Sequence, residues 1–331
     1  VPGACDDTAV DGYIVSLDGS SAPASRPAIE AALQAGSMLW LELHGVDAAT
    51  TDLLRDVFQF HPVALEDAGE FHQRPKAENF GDVLLSVGYA ATAVGAPLTE
   101  VHTYYAATYL ITVAEQDCDV LDQVRHQLAT DHEPLPPGRP PRLIMLHRIL
   151  DAMIDSFFPP LSDLDDKIDA LIEGIFDQPS KDQLQELLGM QRWLVGVRKL
   201  VAPQRDGMAA VVSGVVDLPG RDAASEPYLR DLYDHIIRIS DEIDSYRDLL
   251  DNAMDAYLSM VSNRLNEVMK QLTIIATVFL PLSFLTGFFG QNFSWLVSHL
   301  GGLPDFLILG IGTEVLAVAG LYWLFRRRGW L

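Results

Sequence analysis

A chain of 331 residues and 36.5 kDa is long enough for two or three units that each bury a core. Its formal charge of −23 is uneven: residues 1–264 carry −24, from 19 basic and 43 acidic side chains, and residues 265–331 carry +1. Such an acidic field argues against a nucleic-acid partner, whose phosphates it repels, and for cations or basic proteins.

Cys5 and Cys118 have neither CxxC spacing nor a nearby histidine pair, so neither a zinc site nor a disulfide framework is expected, and a reducing compartment fits. The chain begins with Val, and no basic-then-apolar leader follows, which predicts a cytosolic N-terminal domain. No GxxxxGK[ST] loop and no nucleophile–base pair stand out, so an enzyme is not expected.

In chain order, residues 13–17 and 38–43 read as short strands flanking a Pro/Ser/Ala stretch and the helical AIEAALQAG. Strands are predicted at 83–90, 101–106 and 108–114, and helices at 52–60, 62–68 and 119–129, with Thr51 or Asp52 as an N-cap for the first. DHEPLPPGRPPR is a Pro-rich connector, after which the strand signal ends. Residues 143–175 read as helical with a break or kink at Pro159-Pro160, and residues 181–212 as a second long helix with a kink at Pro203. From Pro227 a 3.6-residue period runs without Gly or Pro to Pro281, a helix of roughly 80 Å at about 1.5 Å per residue. It fits either a coiled-coil stalk or a mechanical link to a bilayer.

No Asp, Glu, Lys or Arg occurs from 271 to 304, and Leu272 to Phe289 supplies 18 mostly apolar residues, enough for a transmembrane helix. A second apolar run of 20 residues covers 306–325, interrupted by Glu314. Lys270 precedes the first span and Arg326, Arg327 and Arg328 follow the second, while the connecting loop has neither Lys nor Arg. This predicts both termini on the cytoplasmic side.

Steps of three or four from Asn266 give Met269, Leu272 or Thr273, Ala276 or Thr277, Leu280, Ser283 or Phe284, and Gly287. That uncharged face fits a pore lining only if several copies surround an axis; helix packing through small and hydroxyl side chains is the alternative. Gly290-Gln291-Asn292 ends the span. A ring of neutral amides there suits the tightly held water shell of magnesium, and an ordinary Gly-terminated helix end is the other reading.

These stretches, NEVMKQLTIIATVFLPLSFLTGFFGQNF with YLRDLYDHIIRI, FHQRPKAE and the ending FRRRGWL, resemble the CorA family of magnesium transporters, over most of the chain from about Ala64 onward. The resemblance implies an α+β cytosolic domain, long stalk helices and two transmembrane helices in a funnel-shaped homopentamer of the inner (plasma) membrane. Its layout is a cytosolic α/β domain at 1–130, a helical region at 131–225 and a stalk helix at 226–270. Then come the pore-lining span at 271–290, an external loop at 291–305, the second span at 306–325 and a basic tail at 326–331.

The resemblance also implies site residues. Asn266, Met269, Leu272, Ala276, Leu280, Ser283 and Gly287 face the pore, with Thr277 flanking and Asn292 at the outer mouth; Met269, Leu272 and Leu280 form a hydrophobic constriction. A regulatory metal site between subunits falls on Asp67 in ALEDAGE and Asp231 in LRDLYD, with Glu66 close by and Asp151 in RILDAMID as a third acid. For any one of these, a solvated surface charge is the plainer alternative. The implied ion is magnesium, both transported and regulatory, with cobalt or nickel as further cargo, passive entry and no organic cofactor.

The chain departs from the family pattern in three places. Gln291 stands where the family usually has Met, Asp305 is the only acid of the external loop, and Glu314 lies about nine residues into the second span. There it is expected near the bilayer midplane, protonated and hydrogen-bonded to a neighbouring helix. A ZntB-type zinc transporter and a non-conducting, membrane-anchored cation sensor or scaffold are the alternatives.

Overall fold

The computed structural model describes residues 9–16, 19–36, 38–130, 141–291, 294–299 and 302–330. They form two compact units divided between Met254 and Asp255, with Ile175–Pro179 belonging to the second.

The first unit is built on a seven-stranded sheet: β1 (Ala9–Val15), β2 (Ser21–Ser25), β3 (Leu39–His44), β4 (Lys76–Phe80), β5 (Val83–Ala90), β6 (Thr99–Tyr105) and β7 (Tyr109–Ala114). The spatial order is β2-β1-β3-β7-β6-β5-β4, and β3 and β7 form the parallel pair. Because side chains alternate across a strand, neighbours in sequence feed opposite cores. Leu39, Leu41 and Leu43 point to the side of Ile29, Leu53 and Leu54, which come from α1 (Arg26–Gln34) and α2 (Ala48–Asp56). Trp40, Leu84 and Leu110 point to the other side, against Leu121 of α4 (Asp119–Thr130), Leu146 and Met153 of α5 (Pro141–Asp155) and Val211 of α7 (Lys181–Ser213). Both faces of the sheet are therefore covered.

Two strands escape a reading of hydrophobic alternation because both are edges. β2, SAPAS, pairs only with β1 and tolerates Pro23, which an interior strand does not. β4, KAENF, closes the other side with a charged, largely exposed face of the kind that blunts edge pairing. The helix expected at 52–60 starts earlier, at Ala48, because Asp47 is the cap: its carboxylate accepts the Thr50 N–H at 2.7 Å. Thr51 and Asp52 lie inside it.

Pro159-Pro160 produces a full break. α5 ends at Asp155 and α6 (Phe158–Asp177) begins with both prolines in its first turn, where no backbone donor is needed. Pro203, by contrast, lies inside a continuous α7, which opens on a Ser180/Gln183 capping box and closes at Gly214 with φ 76°. α3 (Pro62–Gly69) precedes the loop leading into β4.

Trp40 is fully buried, and its indole N–H donates to Thr112 Oγ1 at 3.0 Å. We expect Trp40→Ala to cost about 3–5 kcal/mol, by leaving a cavity and an unpaired hydroxyl. A lower melting temperature by calorimetry on the detergent-solubilised protein is the check; an unchanged transition would refute it.

α8 runs from Glu226 to Phe289 without a break at Pro281. The second unit comprises its C-terminal part, a short α9 (Ser294–His299) inside the expected loop, and α10 (Leu303–Arg327), of which Phe306–Gly312 is π-helical. α8 and α10 each contain a window long and apolar enough to cross a membrane. At the chain end Phe325 and Trp330 stack at 5.9 Å, and the Arg327 guanidinium lies over Trp323 at 5.3 Å, an aromatic and basic pairing suited to a membrane surface.

Candidate metal cluster and pore face

On α5, His147, Asp151 and Asp155 recur every four residues and so share one face; on α8, Asp231 and His235 do the same. The two faces meet. His147 Nε2 lies 3.1 Å from Asp231 Oδ2, and His235 Nδ1 lies 3.2 Å from Asp151 Oδ1 and 3.0 Å from Asp155 Oδ1. Tyr228 packs edge-on against the His147 ring at 5.0 Å, and Phe158 against His235 at 6.3 Å, which orients both imidazoles.

Ligand atoms of His147, Asp151 and Asp231, and of Asp151, Asp155 and His235, lie within 4.8 Å of one another. Asp151 Oδ1, Asp155 Oδ1 and His235 Nδ1 are buried yet none is aligned as a hydrogen bond. Burial first, and then the neighbouring Asp155, push the Asp151 carboxyl above its ordinary range, with His147 and His235 opposing and Asp231 adding to the rise. Its charged form is thus disfavoured in the fold. The stability this lends is present at acid pH and is lost as pH rises through the raised value, unless a cation occupies the site. Two groups of carboxylate oxygens and imidazole nitrogens that share Asp151 fit a divalent ion, and Asp151, Asp155 and Asp231 are the oxygen donors that would hold it.

Asp151 and Asp231 are therefore brought together, whereas Asp67 and Glu66 lie outside the cluster. Asp67, on α3, is held by Lys76, whose Nζ is 2.8 Å from Asp67 Oδ2, and Glu66 beside it is exposed. The FHQRPKAE loop is what sets this pair. Gln73 Nε2 donates to the Asp67 carbonyl at 2.9 Å, and the backbone N–H groups of His72 and Gln73 donate to Glu100 on β6. Burial pushes the Glu100 carboxyl up, but bonds from His102 and these two N–H groups outweigh it and hold the carboxyl below its usual value. Glu100, Lys76, His147, Asp155 and His235 were not singled out in the sequence. The four-residue spacing of the last three with Asp151 and Asp231 was the available signal.

In the second unit, Asn266, Met269, Leu272, Ala276, Leu280, Ser283 and Gly287 are all exposed, and Thr277 is half-buried. Ile274, Val278, Pro281, Leu282, Leu285 and Phe289, on the opposite side of the same helix, are half-buried. Leu282 joins Val315, Val318, Ala319 and Tyr322 of α10 around one groove. The helix ends at Phe289; the Gly290 N–H donates to the Thr286 carbonyl at 2.9 Å and the Gln291 N–H to the Phe288 carbonyl at 3.3 Å. Asn292, the third residue of the motif, lies outside the described residues.

The family model described as "CorA-like Mg2+ transporter protein" matches residues 35–327. The chain is 33% identical over 302 residues to a cobalt/magnesium transport protein CorA of Thermotoga maritima, covering 88% of this chain and 83% of that one. It is 24% identical over 329 residues to a zinc transport protein ZntB of Yersinia pseudotuberculosis, covering 96% and 95%. The solved CorA magnesium transporter of Methanocaldococcus jannaschii has the same fold, with a TM-score of 0.79 at 21% identity over 97% of this chain and 99% of that one. With the matched span running from the α/β region through both apolar helices, the chain belongs to the family of CorA-like Mg2+ transporter proteins.

Proposed function

We propose that this transporter is a passive, homopentameric divalent-cation channel of the inner (plasma) membrane, with magnesium as its principal ion and cobalt or nickel as further cargo. Both termini are cytoplasmic. The observation that carries this reading is the uncharged face of α8 from Asn266 to Gly287, which the single chain leaves exposed while its opposite face is partly covered. Five such faces around an axis line a pathway, with Met269, Leu272 and Leu280 as a hydrophobic constriction and the Gly290-Gln291-Asn292 amides at the outer mouth. An inward-negative potential supplies about 4.6 kcal/mol per 100 mV to a doubly charged ion, so no further energy source is required.

Regulation uses the acids. Cytosolic magnesium bound among Asp67 and Glu66 of one subunit and Asp231 and Asp151 of the next holds the ring closed. Its loss lets like charges separate the subunits and the constriction wet. The imidazoles of His147 and His235 beside Asp151 and Asp231 give a specific reason to expect cobalt, nickel or zinc to act at this site too, since borderline metals take nitrogen ligands that magnesium avoids.

The test is ion flux into liposomes holding the full chain. We expect magnesium entry driven by a potassium diffusion potential, without nucleotide or proton gradient. Zinc flux that requires a proton gradient, with no magnesium flux, would establish the ZntB-type alternative. No metal flux from intact oligomers would leave a membrane-anchored sensor or scaffold.

A further inference from the structure

Glu314 is the one acid inside an apolar span, and nothing in the proposed pore or regulatory site uses it. Its Oε1 lies 3.2 Å from the hydroxyl of Thr286 on α8. This contact places Glu314 beside the last turns of α8, at Thr286, four residues before Gly290. Around it, Leu282, Val315, Val318, Ala319 and Tyr322 line a groove of about 510 Å³. Among the described residues, no Lys, Arg or His pairs with Glu314, and Thr286 is its hydrogen-bonding partner.

The Thr286 hydroxyl faces two acceptors with one proton. It lies 2.6 Å from the Leu282 carbonyl and 3.2 Å from Glu314 Oε1, so the nearer carbonyl is the better placed to take that proton. A proton on the carboxyl would complete the longer contact. A protonated acid also suits an apolar groove, where an unpaired carboxylate is costly.

We infer that Glu314 is a protonated carboxylic acid that donates to Thr286 and thereby positions the outer end of α8. Thr286 is where that leverage acts, since its own carbonyl receives the Gly290 N–H at 2.9 Å. The hydroxyl is tied to α10 while the carbonyl of the same residue holds the first residue of the Gly-Gln-Asn turn. Rotation of the last turn of α8 is thus coupled to the second span, which makes Glu314 a specificity-positioning residue. It touches no transported ion. This inference rests on the reading of that turn as the pore mouth.

Two measurements on the full-length protein in liposomes test it. Infrared difference spectroscopy at neutral pH should reveal the carbonyl stretch of a protonated carboxylic acid that Glu314→Gln removes and Thr286→Val shifts. Absence of any band lost in Glu314→Gln overturns the protonation whether or not the protein conducts. For transport, Glu314→Gln keeps a neutral donor and should retain the magnesium-over-cobalt preference. Glu314→Leu and Thr286→Val should each alter that preference by about three- to tenfold, the double variant no further, and Thr286→Ser should restore it. Unchanged preference in both Glu314→Leu and Thr286→Val, with oligomers of normal size, overturns the positioning role. Failure of the pore reading itself appears differently, as absent flux in the parent protein with the infrared band intact.

Discussion

Asp231→Ala raises the internal magnesium needed for half-maximal closure by at least about tenfold, since losing a carboxylate ligand weakens a metal site no less than losing an outer partner does. The expectation rests on two contacts. Asp231 lies in the cluster with His147 and Asp151, and as the most exposed member it is the one available to a neighbouring subunit. Lys76 supplies an internal comparison, because its ammonium now sits on the Asp67 carboxylate at 2.8 Å and a metal must displace it. Lys76→Gln therefore moves the midpoint the other way, to lower magnesium. Both shifts are read as inhibition of flux from vesicles loaded with graded magnesium. An unchanged midpoint in Asp231→Ala would sink the assigned sensor.

Asn292→Ala reduces magnesium uptake by roughly 100-fold or more. In a pentamer the substitution removes five amides at once, and at about 0.5–1.5 kcal/mol for each hydrogen bond to the ion's water shell the total reaches several kcal/mol. Asn292→Asp gives a different outcome, a carboxylate ring that favours partly dehydrated transition metals, so cobalt gains on magnesium in competition flux. Normal magnesium flux in Asn292→Ala would count against the amide filter.

Much of this protein is legible locally. β3, β5 and β7 alternate apolar side chains toward two cores, and the reading of three central strands follows from that period. β2 and β4 were invisible to the same rule because an edge strand answers to different constraints: Pro23 needs no inward donor, and Lys76 and Glu78 put charges at the sheet's end, Lys76 on Asp67 and Glu78 toward solvent. The α2 start was displaced by four residues because Asp47, Thr51 and Asp52 all have side chains that suit a cap, and only the chain's path selects among them.

Length and hydropathy alone determined the two apolar spans, the long helix leading into the first, and the uncharged face from Asn266 to Gly287. Each depends on a period of 3.6 residues within one segment. The convergence of His147, Asp151 and Asp155 with Asp231 and His235, the pairing of Asp67 with Lys76, and the bond between Thr286 and Glu314 were decided by tertiary structure. They join helices or strands whose rotation about their own axes is set by packing, and no local periodicity encodes which face meets which.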